Sequence, residues 1–492
     1  MRIVAVSATL PNGDDIATFL ECSAAHVFDG SYRPVPLTTH VIGCGSVRNN
    51  QYLFDKSLNS MVPSILRDYS DDKPAIVFCH TKKETEILAL DLTNRGLSHA
   101  SPDDMRTLAM AAKKASTSIL QKCLRAGTAY HHAGLEPSDR KLVENVFASG
   151  AVKCLCATST LAMGVNLPAH LVVIKGTTTW RGAGKGHTPI DTGTLLQMMG
   201  RSGRPGYDDS GTAVIMTDNA NKAQYEELGA GAKSIESQLL GKLVETLNTE
   251  ISQGVIRNSN QSVWWLKSTF FFARVRKYPQ RYGIKGKSDQ DMEEYLMDKC
   301  KTALADLESA QIIRVLEDRS TVLPNVASHV MSQHLVDFQS MKLFMSLPHD
   351  SGSVQLLQAL SNCGRLQYPV RRSEKNALNE AHKIVKYKLA PAVEKFRVQT
   401  ASHKAFILLQ TSIGQHYLED FTLRQEMSQM VDYAQRMLHA IEEYSVRGSK
   451  HGGVALESLL LRRSLATSLW GPGDGVLNQV SSLFLIRIYS AL

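Results

Sequence analysis

The stretch PAIVFCHTKKETEILALDLTNRG, residues 74–96, predicts the fold class of the chain's first half. It begins with a short apolar run, typical of a strand buried on both faces, and continues after His80 with the spacing of a helix. Strand and helix then recur up to about Thr217 through the segments GTAYHHAG, SDRKLVENVFASG, VKCLCATS, LAMGV, HLVVIKG, TGTLLQMMGR and GTAVIMT. Strands that alternate with helices form a covered parallel sheet, so we expect residues 73–228 to be one doubly wound α/β domain.

The first residues carry a similar signal. RIVAVSATLPN, residues 2–12, predicts a buried strand that enters a loop, and DDIATFL predicts a short helix after it. A strand rich in Val and Ile needs neighbours on both sides. We therefore expect residues 1–40 to be the remnant of a preceding α/β domain and residues 41–72 to be a linker.

Past Lys222, helical periodicity replaces the strand signal. Three predicted helices and a short strand pair near IIRVLE and TVLP are typical of a winged helix over residues 232–325. Residues 326–490 have helical periods throughout and predict an all-α bundle. The fold class is therefore α/β and then all-α.

The composition excludes several classes of protein. With 43% hydrophobic and 21% charged residues, the 492-residue chain is an ordinary folded protein. The eight cysteines form no Cys-x-x-Cys pair and no zinc-spaced cluster, so they predict reduced intracellular thiols and no metal site. No apolar run approaches the roughly 18 to 20 residues that cross a bilayer. The excess of 55 Lys and Arg over 47 Asp and Glu suits a polyanionic partner.

Two motifs indicate phosphate chemistry. In QMMGRSGRPG, residues 197–206, Arg201 and Arg204 are expected to project from one helical face, where guanidinium forks suit a γ-phosphate. ATSTLAMGVNLPA, residues 157–169, follows a strand at the sheet edge where open α/β sheets bind ligands, and its small residues let phosphates approach the backbone. Taken alone, the two motifs also fit a surface helix and an ordinary strand-to-helix turn.

Together with SATLPN (7–12), FCHTKKET (78–85) and YHHAGLEPSDR (130–140), these motifs stand in an order and spacing that resemble superfamily 2 helicases. The wording of YHHAGLEPSDRK, TSTLAMGVNLPAHLVVIKGT and QMMGRSGRP is most similar to the meiotic crossover helicases, relatives of the archaeal repair helicases and of the spliceosomal unwinding helicase. The resemblance implies an incomplete first RecA-like domain, a second RecA-like domain over residues 73–228, a winged helix and a ratchet-type helical domain.

The resemblance also implies roles for single residues. Arg201 and Arg204 become the arginine fingers of ATP hydrolysis, with Gln197 beside the nucleotide. Three residues would line the nucleotide pocket: Gly164, Asn166 and Gly200. Ser7 and Thr9 would couple hydrolysis to strand movement. Six residues would follow the nucleic-acid backbone: Thr81, Lys82, His131, His132, Thr158 and Thr160. Each histidine singly fits a core residue equally well.

The segment between the last two motifs, Thr177–Thr194, is implied to form a duplex-splitting β-hairpin with Trp180 as its wedge. A surface loop with a half-buried Trp180 fits the sequence equally well. RGAGKGHT, residues 181–188, resembles a phosphate-binding loop only superficially, because Gly186 follows Lys185 where that loop needs Ser or Thr. We interpret it as an exposed loop.

The helical half carries weaker signals. Residues 267–287 include seven basic residues and no acidic one, which fits a DNA-facing surface of the winged helix, whereas the aromatic residues Trp264, Trp265 and Phe270–Phe272 fit a core better. In MSQMVDYAQRMLHAIEEY, Gln429 and Arg436 share a face away from the apolar stripe. The resemblance makes this helix the ratchet across the translocating strand, with Arg436 stacked on a base, although a solvated arginine is the plainer interpretation.

The sequence contains no Gly-x-x-x-x-Gly-Lys-Ser/Thr and no Asp-Glu-x-His after a strand, so ATP and Mg²⁺ are expected only together with the missing first RecA-like domain. The leading interpretation is the C-terminal part of an ATP-dependent 3′ to 5′ DNA helicase, inactive on its own. It would act in the nucleus on single-stranded and branched DNA with meiotic recombination proteins. Two alternatives stay open: a non-catalytic nucleic-acid-binding scaffold and an RNA-remodelling relative.

Overall fold

The computed structural model describes residues 4–6, 12–22, 25–26, 28, 30–45, 51–96, 101–165, 167–180, 187–229, 234–286, 288–318, 320–389 and 396–471. The chain forms two compact units, the first from residues 1–13 and 24–235 and the second from residues 14–23 and 236–492. Helix α1 (Gly13–Phe19) therefore belongs to the second unit in all but its first residue. None of the described helices has the length and apolarity that a membrane crossing requires.

The first unit is built on a parallel sheet. Its described strands are β1 (Leu37–Cys44), β2 (Ala75–Cys79), β3 (Thr128–His131), β4 (Cys154–Thr158), β5 (Leu171–Lys175), β6 (Thr178–Trp180), β7 (His187–Pro189) and β8 (Gly211–Asp218). Six of them pair in the order β1-β8-β5-β2-β4-β3, with every pair parallel. Strands β6 and β7 form a separate antiparallel hairpin.

The central strands carry the apolar runs that predicted them. Strands β2, β4 and β5 are buried at every residue, so the sheet is covered on both faces. The helices described in this unit are α2 (Gln51–Leu58), α3 (Val62–Tyr69), α4 (Lys82–Asn94), α5 (Pro102–Lys114), α6 (Ser118–Arg125), α7 (Pro137–Ala148), α8 (Thr160–Gly164), α9 (Thr192–Met199) and α10 (Lys222–Gly229). The predicted RecA-like, doubly wound fold is confirmed.

The linker predicted over residues 41–72 is wrong. Strand β1 is the edge strand of the sheet and pairs with β8 along its whole length, from Leu37 opposite Gly211 to Cys44 opposite Asp218. Helix α3 follows and packs Val62 into the sheet unit's core. The sequence LTTHVIGC is polar at several positions and mostly half-buried, which is why no apolar run marked it as a strand.

The buried strand predicted over the first residues is also absent from its described part. Val4 and Val6 are 75% and 93% exposed, and none of the six sheet strands pairs with residues 4–6. The helix predicted after it is present as α1, with Asp14 and Asp15 in its first turn. Ser7 and Thr9, the predicted coupling residues, lie outside the described residues.

The second unit contains the predicted winged helix. Its first part consists of α11 (Leu243–Ser252), α12 (Ser259–Lys267), α13 (Phe270–Lys277), α14 (Asp289–Ser309) and the antiparallel strands β9 (Ile313–Val315) and β10 (Val322–Pro324). The described remainder is helical: α15 (Val326–Gln333), α16 (Phe338–Met345), α17 (Ser353–Ser361), α18 (Lys375–Ile384), α19 (Ala401–Ile413), α20 (Phe421–Arg447) and α21 (Gly452–Thr467). One apolar core joins both parts, because Leu247, Val330 and Leu438 are fully buried in the same cluster.

A buried arginine ties α1 to the winged helix. Arg274 on α13 has no exposed side-chain surface, and it pairs with Asp15 of α1 and, through Nη2 at 2.6 Å, with Glu236. Lys277 Nζ lies 2.5 Å from Asp15. The hydrogen bonds from Arg274 lower the pKa of Glu236 to about 2. Because a buried guanidinium is tolerated only when it is paired, this network fixes where α1 lies.

Candidate nucleotide and nucleic-acid sites

The motif residues of the sheet unit meet at one edge of the sheet. Cys79 at the end of β2 lies opposite Thr158 at the end of β4, and His131 at the end of β3 lies opposite Ala157. The carboxyl ends of these three neighbouring strands therefore share an edge, followed directly by Thr81 and Thr160. This is the edge at which open α/β sheets bind ligands.

Hydroxyl groups and one ammonium group surround this edge. Thr81 is exposed and caps α4 by accepting a hydrogen bond from the backbone N–H of Glu84 at 3.2 Å. The hydroxyls of Thr158 and Thr160 are 3.0 Å apart. The Lys82 side chain runs beside Gly134, where an added Cβ would lie 3.2 Å from the Lys82 Nζ. Three of the six predicted backbone contacts, Thr81, Lys82 and Thr160, thus offer accessible groups that suit phosphate oxygens, whereas Thr158 is buried.

The two histidines do not offer such groups. His131 and His132 are only 4% and 3% exposed. His131 Nε2 is 2.8 Å from a carboxylate oxygen of Glu144, and His132 Nε2 is 3.1 Å from one of Glu86. Burial lowers the pKa of His131. Both rings are packed in the domain against a carboxylate, as the core interpretation predicts.

The two arginines of the motif at 197–206 do not share a helical face, contrary to the prediction. Helix α9 ends at Met199 and is capped by Gly200, so Arg201 and Arg204 follow the helix. The chain then turns through Gly203, whose φ of +86° lies in the left-handed region and whose backbone N–H donates to the Ala169 carbonyl. A Cβ at Gly203 would lie 2.6 Å from Val35, which excludes a larger residue.

Arg201 joins the two phosphate motifs. Its Nε donates to the carbonyl oxygen of Ala162 in α8 at 3.1 Å, and its own carbonyl accepts from the Ala169 N–H at 2.8 Å. Burial lowers the pKa of Arg201. The motif at 157–169 and the motif at 197–206 are therefore neighbours in the folded chain. The sequence alone suggests this arrangement but does not show it.

Arg204 is held in a fixed orientation by an aspartate. Its Nε and Nη2 donate to the two carboxylate oxygens of Asp208 at 2.8 and 3.0 Å, and its backbone N–H donates to the same group at 3.0 Å. Lys73 and His170 each place a nitrogen 3.5 Å from Asp208. Burial alone raises the pKa of Asp208, but the hydrogen bonds from Arg204 outweigh it and lower the pKa to about 2.

This arrangement leaves one nitrogen of Arg204 for a ligand. Within the described part of the chain, Nη1 makes no hydrogen bond, whereas the other two nitrogens are taken by Asp208. A fork that is fixed by a carboxylate can present its outer nitrogen to a phosphate without reorganising. Asp208 was missed in the sequence, because it and Arg204 lie after the end of α9, where helical spacing gives no signal.

The remaining predicted nucleotide contacts are in part described. Gln197 and Gly200 are exposed at the end of α9, and Gly164 ends α8. Asn166 lies outside the described residues. Within the described residues, no group of three or more His, Cys, Asp or Glu side chains is placed to hold a metal ion. The donors present suit the phosphate oxygens of ATP.

The predicted hairpin is present in the segment 177–194. Strands β6 and β7 pair from Thr178 opposite Pro189 to Trp180 opposite His187. The Thr177 hydroxyl lies 2.8 Å from that of Thr217 on β8, which anchors the base of the hairpin to the sheet. The Trp180 side chain and residues 181–186 lie outside the described part of the chain.

In the second unit, the predicted ratchet helix is α20, which is 27 residues long. Gln429 accepts a hydrogen bond from the Tyr368 hydroxyl at 2.9 Å. The guanidinium carbon of Arg436 lies 5.1 Å from the ring centroid of Tyr433, and the residue is half-buried. Arg436 therefore stacks on a side chain of its own helix.

The basic segment 267–287 is only partly a surface. Arg274 is buried in the network with Asp15, so it is not available to DNA. Phe271 is fully buried, as the core interpretation predicts, whereas Trp264 is 70% exposed and corrects that interpretation for this residue. On α12, Trp264 thus contributes surface rather than core.

Known protein families match this chain over nearly its whole length. Three family models match consecutive segments: the helicase conserved C-terminal domain at residues 57–206, a winged helix-turn-helix domain at 236–317 and the Sec63 Brl domain at 324–474. The order of the three matches is that of the sheet unit, the winged helix and the helical bundle.

Curated relatives give the same result. The ATP-dependent DNA helicase homolog MER3 of Arabidopsis thaliana is 32% identical over 99% of this chain, and the probable ATP-dependent DNA helicase HFM1 of Mus musculus is 34% identical over 98%. The U5 small nuclear ribonucleoprotein 200 kDa helicase of Caenorhabditis elegans is 32% identical over 96%. The chain spans 44%, 34% and 22% of these three relatives, respectively. Over nearly its whole length the chain is thus similar to the MER3 and HFM1 DNA helicases, and it carries a helicase conserved C-terminal domain.

Proposed function

We propose that this chain is the C-terminal part of an ATP-dependent DNA helicase, in which it supplies the arginine side of the ATP site and a large part of the strand-binding surface. The carrying observation is the joined pair of phosphate motifs, in which Asp208 orients Arg204 in the turn that follows α9. The names of the relatives support DNA as the substrate. Meiotic recombination intermediates, 3′ to 5′ movement and a nuclear location belong to the same proposal.

In the complete site, ATP supplies the γ-phosphate, and its charge shifts during hydrolysis. Arg204 would meet that charge through Nη1 while Asp208 holds the other two nitrogens. Arg201 would keep α8 in place through the Ala162 carbonyl. Thr81, Lys82, Thr158 and Thr160 would bind the strand at the sheet edge without reading its sequence.

The test is ATP hydrolysis by a longer protein that joins these residues to an upstream domain with a phosphate-binding loop. We expect DNA-stimulated hydrolysis, and Arg204→Ala is expected to lower kcat by about 10³-fold or more, as for other arginine fingers. Arg95→Ala is the matched control, because Arg95 is an exposed arginine of the same unit that pairs with Asp91. Full hydrolysis by the Arg204→Ala protein would refute the assignment.

A non-catalytic scaffold remains the alternative from another class. It uses the same basic surfaces without ATP, so strand binding would fall steeply with salt, and Arg204→Ala would leave strand binding by the longer protein unchanged. Hydrolysis in the longer protein therefore separates the two candidates.

An RNA-remodelling helicase is the alternative within the class. It is favoured by the identity of 32% to the U5 small nuclear ribonucleoprotein helicase. Stimulation of hydrolysis by single-stranded RNA but not by DNA of the same sequence would establish this alternative.

A further inference from the structure

The turn that follows α9 is held by an arginine from a distant part of the sequence. Arg33 lies in the segment before β1 and donates through Nη2 to the backbone carbonyl of Ser202 at 2.9 Å, across 169 residues of sequence. Ser202 is 1% exposed and stands between Arg201 and Gly203. We call residues 201–204 the arginine turn, and its backbone therefore has a long-range partner.

The same segment packs against the arginine turn at a second point. Val35 is 4% exposed, and a Cβ added to Gly203 would lie 2.6 Å from its Cγ1. The carbonyl of Pro36 accepts from the backbone N–H of Gly211 at 2.8 Å, and a Cβ added to Gly211 would lie 2.5 Å from the Gly203 nitrogen. The arginine turn thus lies directly on the segment before β1 and on the start of β8.

The surroundings of Arg33 show what this contact replaces. Arg33 is half-buried, and burial lowers its pKa. Among the residues that the structure describes, no carboxylate lies within ion-pair distance of its guanidinium, whereas the Ser202 carbonyl is within hydrogen-bond distance. A buried carbonyl that loses its donor costs free energy, so removal of the Arg33 side chain would favour a change in the backbone of the arginine turn.

Such a change would reach Arg204. On its other side the arginine turn is joined to the motif at 157–169, because the Ala169 N–H donates to the Arg201 carbonyl at 2.8 Å. Arg33 and Ala169 therefore hold the turn from two directions. A displacement of about 1 Å in a catalytic group can cost a reaction about 10²-fold in rate, even when the cause lies away from the reacting atoms.

We propose that Arg33 is a positioning residue for ATP hydrolysis. By holding the Ser202 carbonyl, it fixes the turn from which Arg204 reaches the γ-phosphate, and it does not itself contact the nucleotide. The inference rests on the proposed function, because ATP is the ligand that the arginine turn serves. The sequence motifs did not include Arg33.

The test measures kcat and KM for ATP in DNA-stimulated hydrolysis by the longer protein. Arg33→Met is expected to lower kcat about tenfold or more and to change the KM for ATP by less than about twofold, because only the transition state loses a contact. Arg33→Lys keeps a donor for the carbonyl and is expected to recover most of kcat. Arg95→Met is the matched control, since Arg95 is an exposed arginine of the same unit that pairs with Asp91.

A double variant shows whether Arg33 acts through Arg204. In the Arg204→Ala protein, measured in single turnovers at high protein concentration, Arg33→Met is expected to lower the rate by less than about twofold further, because the arginine that it positions is absent. A further tenfold fall in the double variant would overturn the proposal. A kcat of Arg33→Met equal to that of Arg95→Met would overturn it as well.

Urea unfolding of the same proteins separates positioning from folding. If Arg33→Met lowers kcat only in proportion to the unfolded fraction, Arg33 is a structural residue and the proposal fails. If Arg204→Ala abolishes hydrolysis while Arg33→Met does not lower it, this proposal fails and the proposed function stands. If the unsubstituted longer protein hydrolyses no ATP, the proposed function fails and this proposal with it.

Discussion

Arg204 in the sheet unit and Arg365 in the helical unit have opposite environments. Two nitrogens of Arg204 are bound by Asp208, whereas the contact found for the Arg365 guanidinium among the described residues is the face of Tyr433. An arginine that its own chain has oriented can act on a charge that appears at one position during a reaction. The comparison separates an arginine that its own chain orients from an arginine without a carboxylate partner among the described residues.

Among these arginines, Arg274 has the most complete ion pairing. It has no exposed side-chain surface and contacts carboxylates of Asp15 and Glu236. With both carboxylates engaged and no surface for a ligand, its role is to hold α1 against the winged helix. The three arginines thus range from buried and fully paired to exposed and without a carboxylate partner among the described residues.

We expect the largest effect on the free energy of unfolding at Arg274, the arginine whose ion pairing is most complete. Arg274→Met removes the charge and leaves the buried Asp15 without its main partner, which should lower the free energy of unfolding by about 3 kcal/mol. Arg365→Met is the matched substitution at an exposed, unpaired arginine and should change it by less than about 0.5 kcal/mol. Urea unfolding of both variants checks this, and equal losses would contradict the distinction between the two arginines.

We expect an intermediate effect on the free energy of unfolding at Asp208, and this effect depends on pH. Its pKa is about 2 in the folded protein, against about 4 in an unfolded chain. The ion pair with Arg204 therefore stabilises the fold fully above about pH 4, and this stabilisation, about 2 kcal/mol, is lost as the pH falls through about 2. Urea unfolding at several pH values should show a weaker acid dependence for Asp208→Asn, and an unchanged dependence would show that the pair does not stabilise the fold.

We expect the smallest effect on the free energy of unfolding at the exposed ion pair of Arg447 and Glu443. Arg447 and Glu443 are four residues apart on α20, and the Arg447 side chain is 52% exposed. Such pairs contribute about 0.3 to 0.5 kcal/mol because water screens them. Arg447→Ala should therefore shift the urea midpoint only slightly. A loss as large as that of Arg274→Met would mean that exposure does not decide how much a paired arginine contributes.

Much of the fold could be predicted from the sequence because buried strands appear in it as apolar runs. Strands β2, β4 and β5 are buried at every residue and appear as continuous apolar runs. The edge strand β1 was missed because its half-buried sequence LTTHVIGC lacks such a run, and only its pairing with β8 identifies it. Tertiary pairing at an edge is not visible in local periodicity.

The sequence motifs named candidate residues for the site but did not give their geometry. The motifs place Arg201 and Arg204 together, but the helix that was expected to carry them ends at Met199. A sequence motif does not show whether a histidine ring is exposed or buried. The carboxylates that pair with His131 and His132 belong to Glu144 and Glu86, which lie 13 and 46 residues away in the sequence. Arg33 belongs to none of the motifs and is located only by its distance to Ser202.

The most direct test of the distinction between paired and unpaired arginines is ATP hydrolysis by the longer protein, measured side by side for Arg204→Ala and Arg365→Ala. Loss of the arginine held by Asp208 should lower kcat by about 10³-fold or more, and loss of the arginine without a carboxylate partner among the described residues should leave kcat as it is. An equal fall for both substitutions, or a fall for Arg365→Ala alone, would contradict the account.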